Sequence, residues 1–374
     1  MLNWLFKPSV SKHPRTAIGL MSGTSLDALD AALVRETDSG QIEVVTTQST
    51  PFPADLQQQL EQLVSQGESR LSALLQIEHQ YTELVIAQCQ QLIAASATAI
   101  DVIGFHGQTV WHAPEIGSTL QLGNAEWLAE ATQTPVIAQF RRGDMARGGQ
   151  GAPLAPLFHA AHFSRDTESV GVLNLGGIAN LTVLRPGHAP CGWDIGPANT
   201  LSDQWYRQFH KGPYDAQGAW AGTGQVNPSL LEQMLSDAYF QKPAPKSTGR
   251  EYFNLPWLQT QLTSVAPVSE VDVQATIHQL TAELVRMALP DDIEILVVCG
   301  GGVHNTHLMD RIDDAVNALL VTSDTFLIDP MAVEPACFGW LALQTLAGNC
   351  LEVAAVTGAR QSGLLGTRFD PTRG

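Results

Sequence analysis

The sequence predicts an α/β protein built from two halves, each of which opens with a β-hairpin. A chain of 374 residues, of which 44% are hydrophobic and 15% charged, is long enough for two domains of ordinary size. Residues 19–34 form the pattern of apolar strand, small-residue turn and apolar strand, and residues 171–184 repeat it. Helical periodicity between the strand patterns adds the second kind of element.

The first half is expected to contain a three-strand meander, a long helical region, a buried strand, a short helix and a final strand. These elements are predicted at residues 17–20, 31–34, 42–47, 54–94, 99–105, 125–132 and 135–140. Pro51 and Pro53 end the meander, and the buried strand ends in a polar turn at 106–109. A second polar turn is expected at 121–124.

A Gly- and Pro-rich segment, residues 141–156, follows the first half. Its composition does not suit the interior of a helix or strand, so it is an inter-domain crossing or a binding loop. The second half continues from its hairpin to a strand end near Asp194, followed by a helix. The later segments are a loop-rich stretch at 211–254, helices at about 272–289, 306–319 and 334–348, and a buried strand before the glycines at 300–302.

Composition argues against several classes of partner. The net charge of −17 repels the phosphates of nucleic acids and of anionic membranes. No segment approaches the run of about 20 apolar residues that a bilayer span requires. The 5 cysteines are scattered, which predicts reduced thiols and a cytoplasmic protein. A small anionic ligand remains compatible, because backbone N–H groups and a metal ion attract it locally.

The first hairpin turn holds more small and hydroxyl-bearing residues than a plain β-turn needs. Gly23, Thr24 and Ser25 supply backbone N–H groups, hydroxyls and a glycine that can adopt positive φ, a combination that holds phosphate oxygens. The lysine of a Walker A loop is missing. Asp27 and Asp30 could orient a Mg²⁺-bound water or a sugar hydroxyl. A hairpin whose ends are satisfied by hydroxyls explains the same residues equally well.

The second half offers one carboxylate and two glycine turns as candidates. Asp194 precedes Gly196-Pro197 at a predicted strand end, where a carboxylate is a general base, a metal-associated group or a structural residue. The turns at 176–177 and 300–302 let a backbone approach a flat ring or a phosphate. Each is also an ordinary connection between a strand and its neighbour.

Polar residues elsewhere in the chain are weaker candidates. His106 and Gln108 could hydrogen-bond a ligand, although a lone His is more often a satisfied polar residue. Arg141 could bind a substrate carboxylate through its planar guanidinium, or fix its loop by pairing with Asp144. Glu334 begins the last long helix, where the helix dipole favours a carboxylate whatever its function.

Taken in order, these motifs resemble the anhydro-N-acetylmuramic acid kinase family within the actin/hexokinase/Hsp70 ATPase superfamily. The resemblance covers about residues 15–365. It is carried by segments 19–27, 106–109, 140–141, 149–154, 174–180, 194–199, 246–251 and 300–305. Two residues depart from the family pattern, Trp193 and Ala28. The family usually has glycine where this sequence has Ala28. Alanine is strained there if the backbone needs positive φ and harmless if the backbone is extended or helical.

The resemblance implies a fold and an activity. The fold is two duplicated actin-like (ribonuclease H-like) domains with a central inter-domain cleft, at residues 15–165 and 166–334, with the C-terminal helix at about 335–370 packing back on the first. The activity is that of an ATP- and Mg²⁺-dependent kinase. It hydrolytically opens the 1,6-anhydro ring of 1,6-anhydro-N-acetylmuramic acid and phosphorylates O6, which gives N-acetylmuramic acid 6-phosphate in peptidoglycan recycling. A homodimer is also implied.

The expected site residues fall into three groups. Asp194 matches the catalytic base of the family and Glu334 a second active-site carboxylate. Arg141 matches a substrate-side arginine, and His106 and Gln108 are expected to bind substrate with it. The expected nucleotide-binding residues are Gly23, Thr24, Ser25, Leu26, Asp27, Ala28, Leu29, Asp30, Gly176, Gly177, Gly300, Gly301 and Gly302. No residue set that would hold a metal on its own is predicted.

Two other functions remain open from the sequence. Relatives in this superfamily include ATPases that assemble into filaments or act as switches, and sugar kinases that act on a free hydroxyl. The polar residues His106, Gln108, Arg141 and Glu334, together with Asp194, form a larger set than ATP alone would need. This set favours an enzyme.

Overall fold

The computed structural model describes residues 14–23, 26–37, 40–244 and 246–372 as a mixed α/β chain, so the predicted α/β class is confirmed. The chain divides into two units. Unit 1 contains the described residues up to 162 and those from 327 onward, and unit 2 contains residues 163–326. The sequence places these divisions at 165/166 and 334/335. The central cleft stays a prediction.

The strands and helices follow one another as the sequence pattern largely predicts. The strands are β1 Thr16–Ser22, β2 Ala28–Glu36, β3 Ile42–Pro51, β4 Val102–Ala113, β5 Ser118–Leu122, β6 Val136–Ala138, β7 Val170–Leu175, β8 Ile178–Leu184, β9 Cys191–Pro197, β10 Ile295–Cys299, β11 Leu319–Thr322 and β12 Thr367–Phe369. The α-helices are α1 Ala54–Gln66, α2 Leu71–Ala95, α3 Ala125–Thr132, α4 Phe140–Met145, α5 Ala155–Phe163, α6 Asn199–Tyr206, α7 Pro228–Leu235, α8 Leu255–Thr263, α9 Glu270–Ala288, α10 Thr306–Ala315, α11 Val333–Leu346 and α12 Ala354–Thr357.

The sheets of the two units share one topology. In unit 1 the strand order is β12-β6-β4-β1-β2-β3, with β5 beside β4, and in unit 2 it is β11-β10-β7-β8-β9. In each unit the first three strands form an antiparallel meander, and the next strand lies parallel to the first. A further parallel strand, β6 or β11, then follows. This repetition agrees with the predicted duplication.

Helices α2 and α11 cover the two faces of the unit 1 sheet. Ile18 and Leu20 point into a core that includes Tyr81 and Val85 of α2, which are four residues apart and so lie on one helix face. Gly19 points the opposite way because side chains alternate along a strand. That opposite face packs against α11. The helix that the sequence places at about 335–370 ends at Leu346, and α12 and β12 follow it.

Helix α11 approaches the sheet backbone to backbone. A Cβ atom built on Gly19 would lie 1.9 Å from the carbonyl oxygen of Pro335, and one on Gly104 would lie 2.1 Å from that of Phe338. Real Cβ atoms do not make such contacts, so only glycine fits at these two strand positions. The sheet and the helix therefore pack without intervening side chains here.

Several elements differ from the sequence prediction. The polar segment 106–109 is not a turn, because β4 continues through it to Ala113 and pairs antiparallel with β5. The Gly- and Pro-rich segment 141–156 contains most of α4 and the start of α5. The helix predicted over 306–319 ends at Ala315, and strand β11 follows. Among the described residues, no helix has the length and apolar character that crossing a bilayer requires.

Candidate active site

The first hairpin turn joins β1 to β2, and Thr24 and Ser25 lie outside its described residues. The Gly23 carbonyl accepts a bond from the Leu26 N–H at 3.4 Å, and Leu26 has a φ of 56°. Among the described residues of this turn, Leu26 is therefore the one with a left-handed backbone. Ala28 is the first residue of β2, with extended backbone, so alanine at this position is not strained.

Gln108 supports this turn from the neighbouring strand. Its side chain is fully buried, and its Nε2 donates to the Gly23 carbonyl at 3.3 Å and to the Thr109 carbonyl at 3.2 Å. No partner for its Oε1 is found among the described residues. The contacts of the Nε2 group make Gln108 a support for the turn, and its expected contact with substrate stays a prediction.

Asp27 and Asp30 lie close enough to influence each other electrostatically. Burial raises the pKa of Asp30, a hydrogen bond with Ser49 opposes that rise, and the charge of Asp27 adds to it. The Asp27 side chain is exposed, and its backbone carbonyl accepts a bond from the Phe52 N–H at 2.9 Å. The turn therefore ends in two neighbouring carboxylates, one exposed and one half-buried.

His106 and Arg141 are in direct contact in unit 1. The Arg141 Nε donates to His106 Nε2 at 3.0 Å, which assigns the imidazole proton to Nδ1. Burial, followed by the charge of Arg141, holds the pKa of His106 well below its ordinary value. His106 is thus a neutral imidazole that supports a buried guanidinium.

A second anchor fixes the plane of Arg141. Its Nη1 donates to the Gly151 carbonyl at 2.9 Å. Burial lowers the pKa of Arg141, while Cys337 and Glu334 act in the opposite direction, and a guanidinium stays charged at neutral pH. Glu334 lies in the first turn of α11 with an exposed side chain. His106 therefore contacts Arg141, and Glu334 lies near enough to act on the charge of Arg141, while the role of all three in substrate binding stays a prediction.

Asp144 fixes the loop through contacts other than the expected ion pair. Its Oδ2 accepts a bond from the Gly151 N–H at 2.8 Å, and its Oδ1 accepts one from the Thr357 hydroxyl at 2.7 Å. These bonds hold the same Gly151 whose carbonyl binds Arg141. Asp144 thus positions the arginine indirectly.

A polar cavity of about 250 Å³ lies in unit 1 against His106. Its lining includes the polar side chains of Glu78, Gln121, Asn124 and Arg142. The Arg142 Nε donates to the Thr119 carbonyl at 3.3 Å, a different partner from those of Arg141. A small ligand rich in hydroxyl or amide groups would find both donors and acceptors there.

Asp194 lies in the middle of β9 in unit 2, and the strand end that the sequence predicts there is wrong, because β9 continues through Gly196 to Pro197. Its Oδ2 accepts a bond from the Thr248 N–H at 3.1 Å, and the Tyr239 hydroxyl donates to its backbone carbonyl at 2.7 Å. Burial raises the pKa of Asp194 to about 6, the Thr248 N–H opposes the rise, and Glu251 adds to it. A carboxylate with this pKa is largely ionised at neutral pH and is still basic enough to accept a proton.

The partners of Asp194 were not assigned from the sequence. Thr248 lies 54 residues further along the chain, and Lys246 also contributes, because its carbonyl accepts the Asp194 N–H at 3.0 Å. The sequence feature that could have indicated these partners is segment 246–251, which belongs to the motifs that carry the family resemblance. Nothing in its composition indicates which carboxylate it contacts.

The two glycine turns of unit 2 lie beside each other at the carboxyl ends of β7 and β10. A Cβ on Gly300, which has a φ of 83°, would lie 2.3 Å from the Asn174 Oδ1, and one on Gly302 would lie 2.5 Å from the Leu175 Cβ. The Gly177 carbonyl accepts bonds from the N–H groups of Ala198 and Thr200, at the start of α6. Ligands commonly bind at this edge of a sheet with parallel strands.

The described residues contain no group of three or more His, Cys, Asp or Glu side chains that could hold a metal ion. Magnesium bound to nucleotide phosphates usually takes only one or two carboxylates, the remaining ligands being water and phosphate. The neighbouring carboxylates of Asp27 and Asp30 fit that smaller requirement.

Comparison with known proteins gives consistent matches over almost the whole chain. The family model described as anhydro-N-acetylmuramic acid kinase matches residues 15–371. The anhydro-N-acetylmuramic acid kinase of Pseudomonas putida is 42% identical over 358 residues, which cover 93% of this chain and 98% of the relative. That of Variovorax paradoxus is 42% identical over 369 residues, which cover 94% and 98%. The chain belongs to the anhydro-N-acetylmuramic acid kinase family.

Proposed function

We propose that this chain opens the 1,6-anhydro ring of 1,6-anhydro-N-acetylmuramic acid with water and phosphorylates O6 with ATP, giving N-acetylmuramic acid 6-phosphate for peptidoglycan recycling. Membership in the family supports the substrate and the phosphoryl donor. The observation that carries the mechanism is Asp194, a half-buried carboxylate whose pKa is raised to about 6. Such a group is suited to activate water at neutral pH.

The proposed reaction couples two bond exchanges. Asp194 takes a proton from a water molecule as the water oxygen forms a bond to C1 of the sugar. The bond between C1 and O6 breaks, and O6 keeps the electron pair. O6 then bonds to the γ-phosphorus of ATP as the bond from that phosphorus to ADP breaks. Because the phosphoryl group captures O6, the reaction needs no general acid.

Arg141 and Glu334 are proposed to act on the substrate side. The bonds from Arg141 to His106 and to Gly151 fix the guanidinium plane, so that its remaining N–H groups present a preset fork. A carboxylate such as the lactyl group of the sugar binds well to such a fork. Glu334 is proposed as the second active-site carboxylate.

The nucleotide is proposed to bind at residues 23–30 and at the glycine turns 176–177 and 300–302. Backbone N–H groups in such turns attract phosphate oxygens. Asp27 and Asp30 would hold Mg²⁺ through one or two carboxylate bonds. When bound, Mg²⁺ neutralises charge on the phosphoryl oxygens.

We further propose that the protein acts in the cytoplasm, where ATP is available, and that it forms a homodimer, as the family resemblance implies. Sedimentation velocity measures the dimer directly. A single species with the mass of one chain across a wide concentration range would contradict it.

The reaction class is tested by mass spectrometry of purified protein with ATP, Mg²⁺ and 1,6-anhydro-N-acetylmuramic acid in ¹⁸O-labelled water. The proposed reaction adds one water and one phosphate to the sugar, and it places ¹⁸O at C1. A product that gains phosphate without ¹⁸O would indicate a kinase acting on a free hydroxyl. ATP-dependent polymers that sediment without any sugar product would indicate an assembly protein.

Changing Arg141 to alanine is expected to raise KM for the lactyl-bearing sugar by about tenfold or more, because a charged hydrogen bond is lost. The rise should be much smaller for an analogue that lacks the lactyl group. Arg35→Ala is the matched control, since that exposed guanidinium of unit 1 bonds to Glu43 instead. Equal changes of KM for both sugars in Arg141→Ala would show that the residue does not bind the carboxylate.

The raised pKa of Asp194 predicts the acidic limb of the pH profile. A general base works in its ionised form, so kcat/KM should fall about tenfold for each unit of pH below the pKa of about 6. Above that pKa, kcat/KM should no longer change with pH. A profile measured from pH 4.5 to 8.5 tests this, and a midpoint near 4 would show that Asp194 does not control the limb.

A further inference from the structure

Helix α9 carries a row of buried polar side chains that the proposed reaction does not use. Gln274, His278 and Thr281 are spaced by four and three residues, so they lie on one helix face. Their exposed fractions are 0%, 1% and 2%. A buried polar group is stable only when it is hydrogen-bonded, so the partners of this row show what the helix holds in place.

His278 uses both of its ring nitrogens. Its Nε2 lies 3.0 Å from the Ser202 Oγ, and its Nδ1 lies 2.9 Å from the Nδ1 of His307. The Asn305 Oδ1 accepts the Leu308 N–H, so the Asn305 Nδ2, 3.4 Å from His278 Nε2, is a donor facing that nitrogen. His278 Nε2 therefore accepts, and the ring proton lies on Nδ1, which donates to His307.

Gln274 extends the same network, and Thr281 bonds a separate partner. The Gln274 Nε2 donates to the Ser202 Oγ at 2.9 Å, which leaves the Ser202 proton to point at His278. The Thr281 hydroxyl donates to the Pro197 carbonyl at 3.0 Å, at the end of the strand that carries Asp194. Bonds thus run in one direction from Gln274 through Ser202 and His278 to His307.

Two members of this network, Ser202 and His307, lie on helices that adjoin the glycine turns. Ser202 is on α6, whose Asn199 and Thr200 N–H groups bond at 3.1 Å to the carbonyls of Gly176 and Gly177. His307 is in the first turn of α10, directly after the turn at 300–302. A single imidazole ring therefore joins the two turns through their helices.

Charge does not explain the contact between the two imidazoles. Burial, followed by the charges of His307 and Arg311, lowers the pKa of His278 to about 3. Burial and Arg311 also lower the pKa of His307, while Asp215 and Asp310 oppose that change. Both rings are neutral at neutral pH, so the network depends on hydrogen-bond direction alone.

We propose that His278 is a positioning residue that fixes the glycine turns 176–177 and 300–302 relative to each other. The inference rests on the proposed nucleotide-binding role of these turns. A rigid ring that bonds at both edges keeps α6 and α10 at one spacing, because a shift of either helix breaks a buried hydrogen bond. The turns are then arranged before the nucleotide arrives, which removes an ordering cost from binding.

The test is nucleotide affinity, measured by calorimetry with a non-hydrolysable ATP analogue. His278→Leu is expected to raise the nucleotide Kd about tenfold and to leave the sugar Kd within about twofold. His278→Gln keeps a polar atom near the Nε2 position, and His278→Asn keeps one near the Nδ1 position. Each of these two variants should raise the Kd less than His278→Leu does.

Two milder variants and one control complete the design. Ser202→Ala and His307→Ala remove the partners of His278 on α6 and α10 and should each raise the nucleotide Kd about threefold. The changes that these two variants cause in the free energy of nucleotide binding should be non-additive when His278 is present. In the His278→Leu background they should be additive. His162→Gln is the control, because His162 is also a buried histidine and bonds the Ile42 N–H at 3.2 Å in unit 1. It should change the thermal stability without changing the nucleotide Kd.

Unchanged nucleotide Kd in folded His278, Ser202 and His307 variants would overturn the inference. Should His278→Leu fail to fold, the Ser202→Ala and His307→Ala results decide. Gly302→Ala separates failure of the positioning role from failure of the proposed nucleotide site. Its Cβ would lie 2.5 Å from the Leu175 Cβ and must distort the turn. If the Kd is unchanged in Gly302→Ala as well, the nucleotide role of the turns is wrong, and the positioning role is wrong with it.

Discussion

Asp194→Asn is expected to lower turnover by a factor on the order of 10² or more while both substrates still bind. Asparagine has nearly the same shape, and its Oδ1 can accept the bond that the Thr248 N–H donates at 3.1 Å. It cannot take a proton from water. Steady-state kinetics and calorimetry of the same preparation separate loss of turnover from loss of binding.

The same variant should be more stable than the wild type at neutral pH. Burial raises the folded-state pKa of Asp194 from 3.8 to about 6, so ionising the carboxyl costs stability in the folded protein. The protonated carboxyl makes its full contribution to the free energy of unfolding below about pH 4, and this contribution is lost as the pH rises through 6. We expect Asp194→Asn to raise the free energy of unfolding by about 2 kcal/mol at pH 7.5 and to leave it unchanged near pH 4.

Urea denaturation at the two pH values measures this difference. The control is Asp292→Asn, which removes an exposed ion pair with Arg185 and should change neither turnover nor stability appreciably. Near-normal turnover in Asp194→Asn would remove this residue from the role of base. A stability gain that is equal at both pH values would show that ionisation is not its cause.

Gly19→Ala is expected to destabilise unit 1 by more than about 3 kcal/mol. The new Cβ would lie 1.9 Å from the Pro335 carbonyl oxygen and 2.4 Å from the Gly339 backbone nitrogen. Backbone atoms on both sides cannot rotate away, so α11 must move from the sheet. Glu334 lies in the first turn of that helix, so activity should fall with stability.

Gly143→Ala is the matched control for this effect. Gly143 lies inside α4, and a Cβ there would meet its nearest neighbour, the Gly366 backbone nitrogen, at an ordinary 3.5 Å. Alanine favours the helix there, so this variant should be neutral or slightly stabilising. Urea denaturation of both variants gives the comparison. A Gly19→Ala protein with a wild-type midpoint would contradict the close packing of α11.

The fold could be predicted where the signal is local. The period of apolar residues and the turn residues located both hairpins, and helix α3 has the predicted bounds, 125–132. The prediction was wrong where pairing overrides composition. Residues 106–109 look like a turn, but Gln108 and Thr109 pair with Leu122 and Gln121 of β5, and the strand continues. A one-dimensional pattern does not show which later strand will supply those partners.

The candidate site divides in the same way. Asp194 could be placed in a strand because apolar residues frame it, but the strand runs on to Pro197, past the end that Gly196-Pro197 suggests. The supports of the site could not be placed, because they come from distant parts of the chain. Thr357, which holds Asp144, lies 213 residues away from it, and His278 lies 76 residues from Ser202. Such partners are set by how the sheets and helices pack, which no sequence window contains.

The packing of α11 on β1 and β4 has a consequence for synthesis on the ribosome. All of residues 163–326 emerge before residues 333–346, so the nascent chain can complete unit 2 while one face of the unit 1 sheet still lacks its helix. Until translation is nearly finished, the groove at Gly19 and Gly104 is exposed backbone and apolar surface. Helix α11 can therefore cover this face only after it leaves the ribosome, and a chain released early would expose apolar surface that favours aggregation.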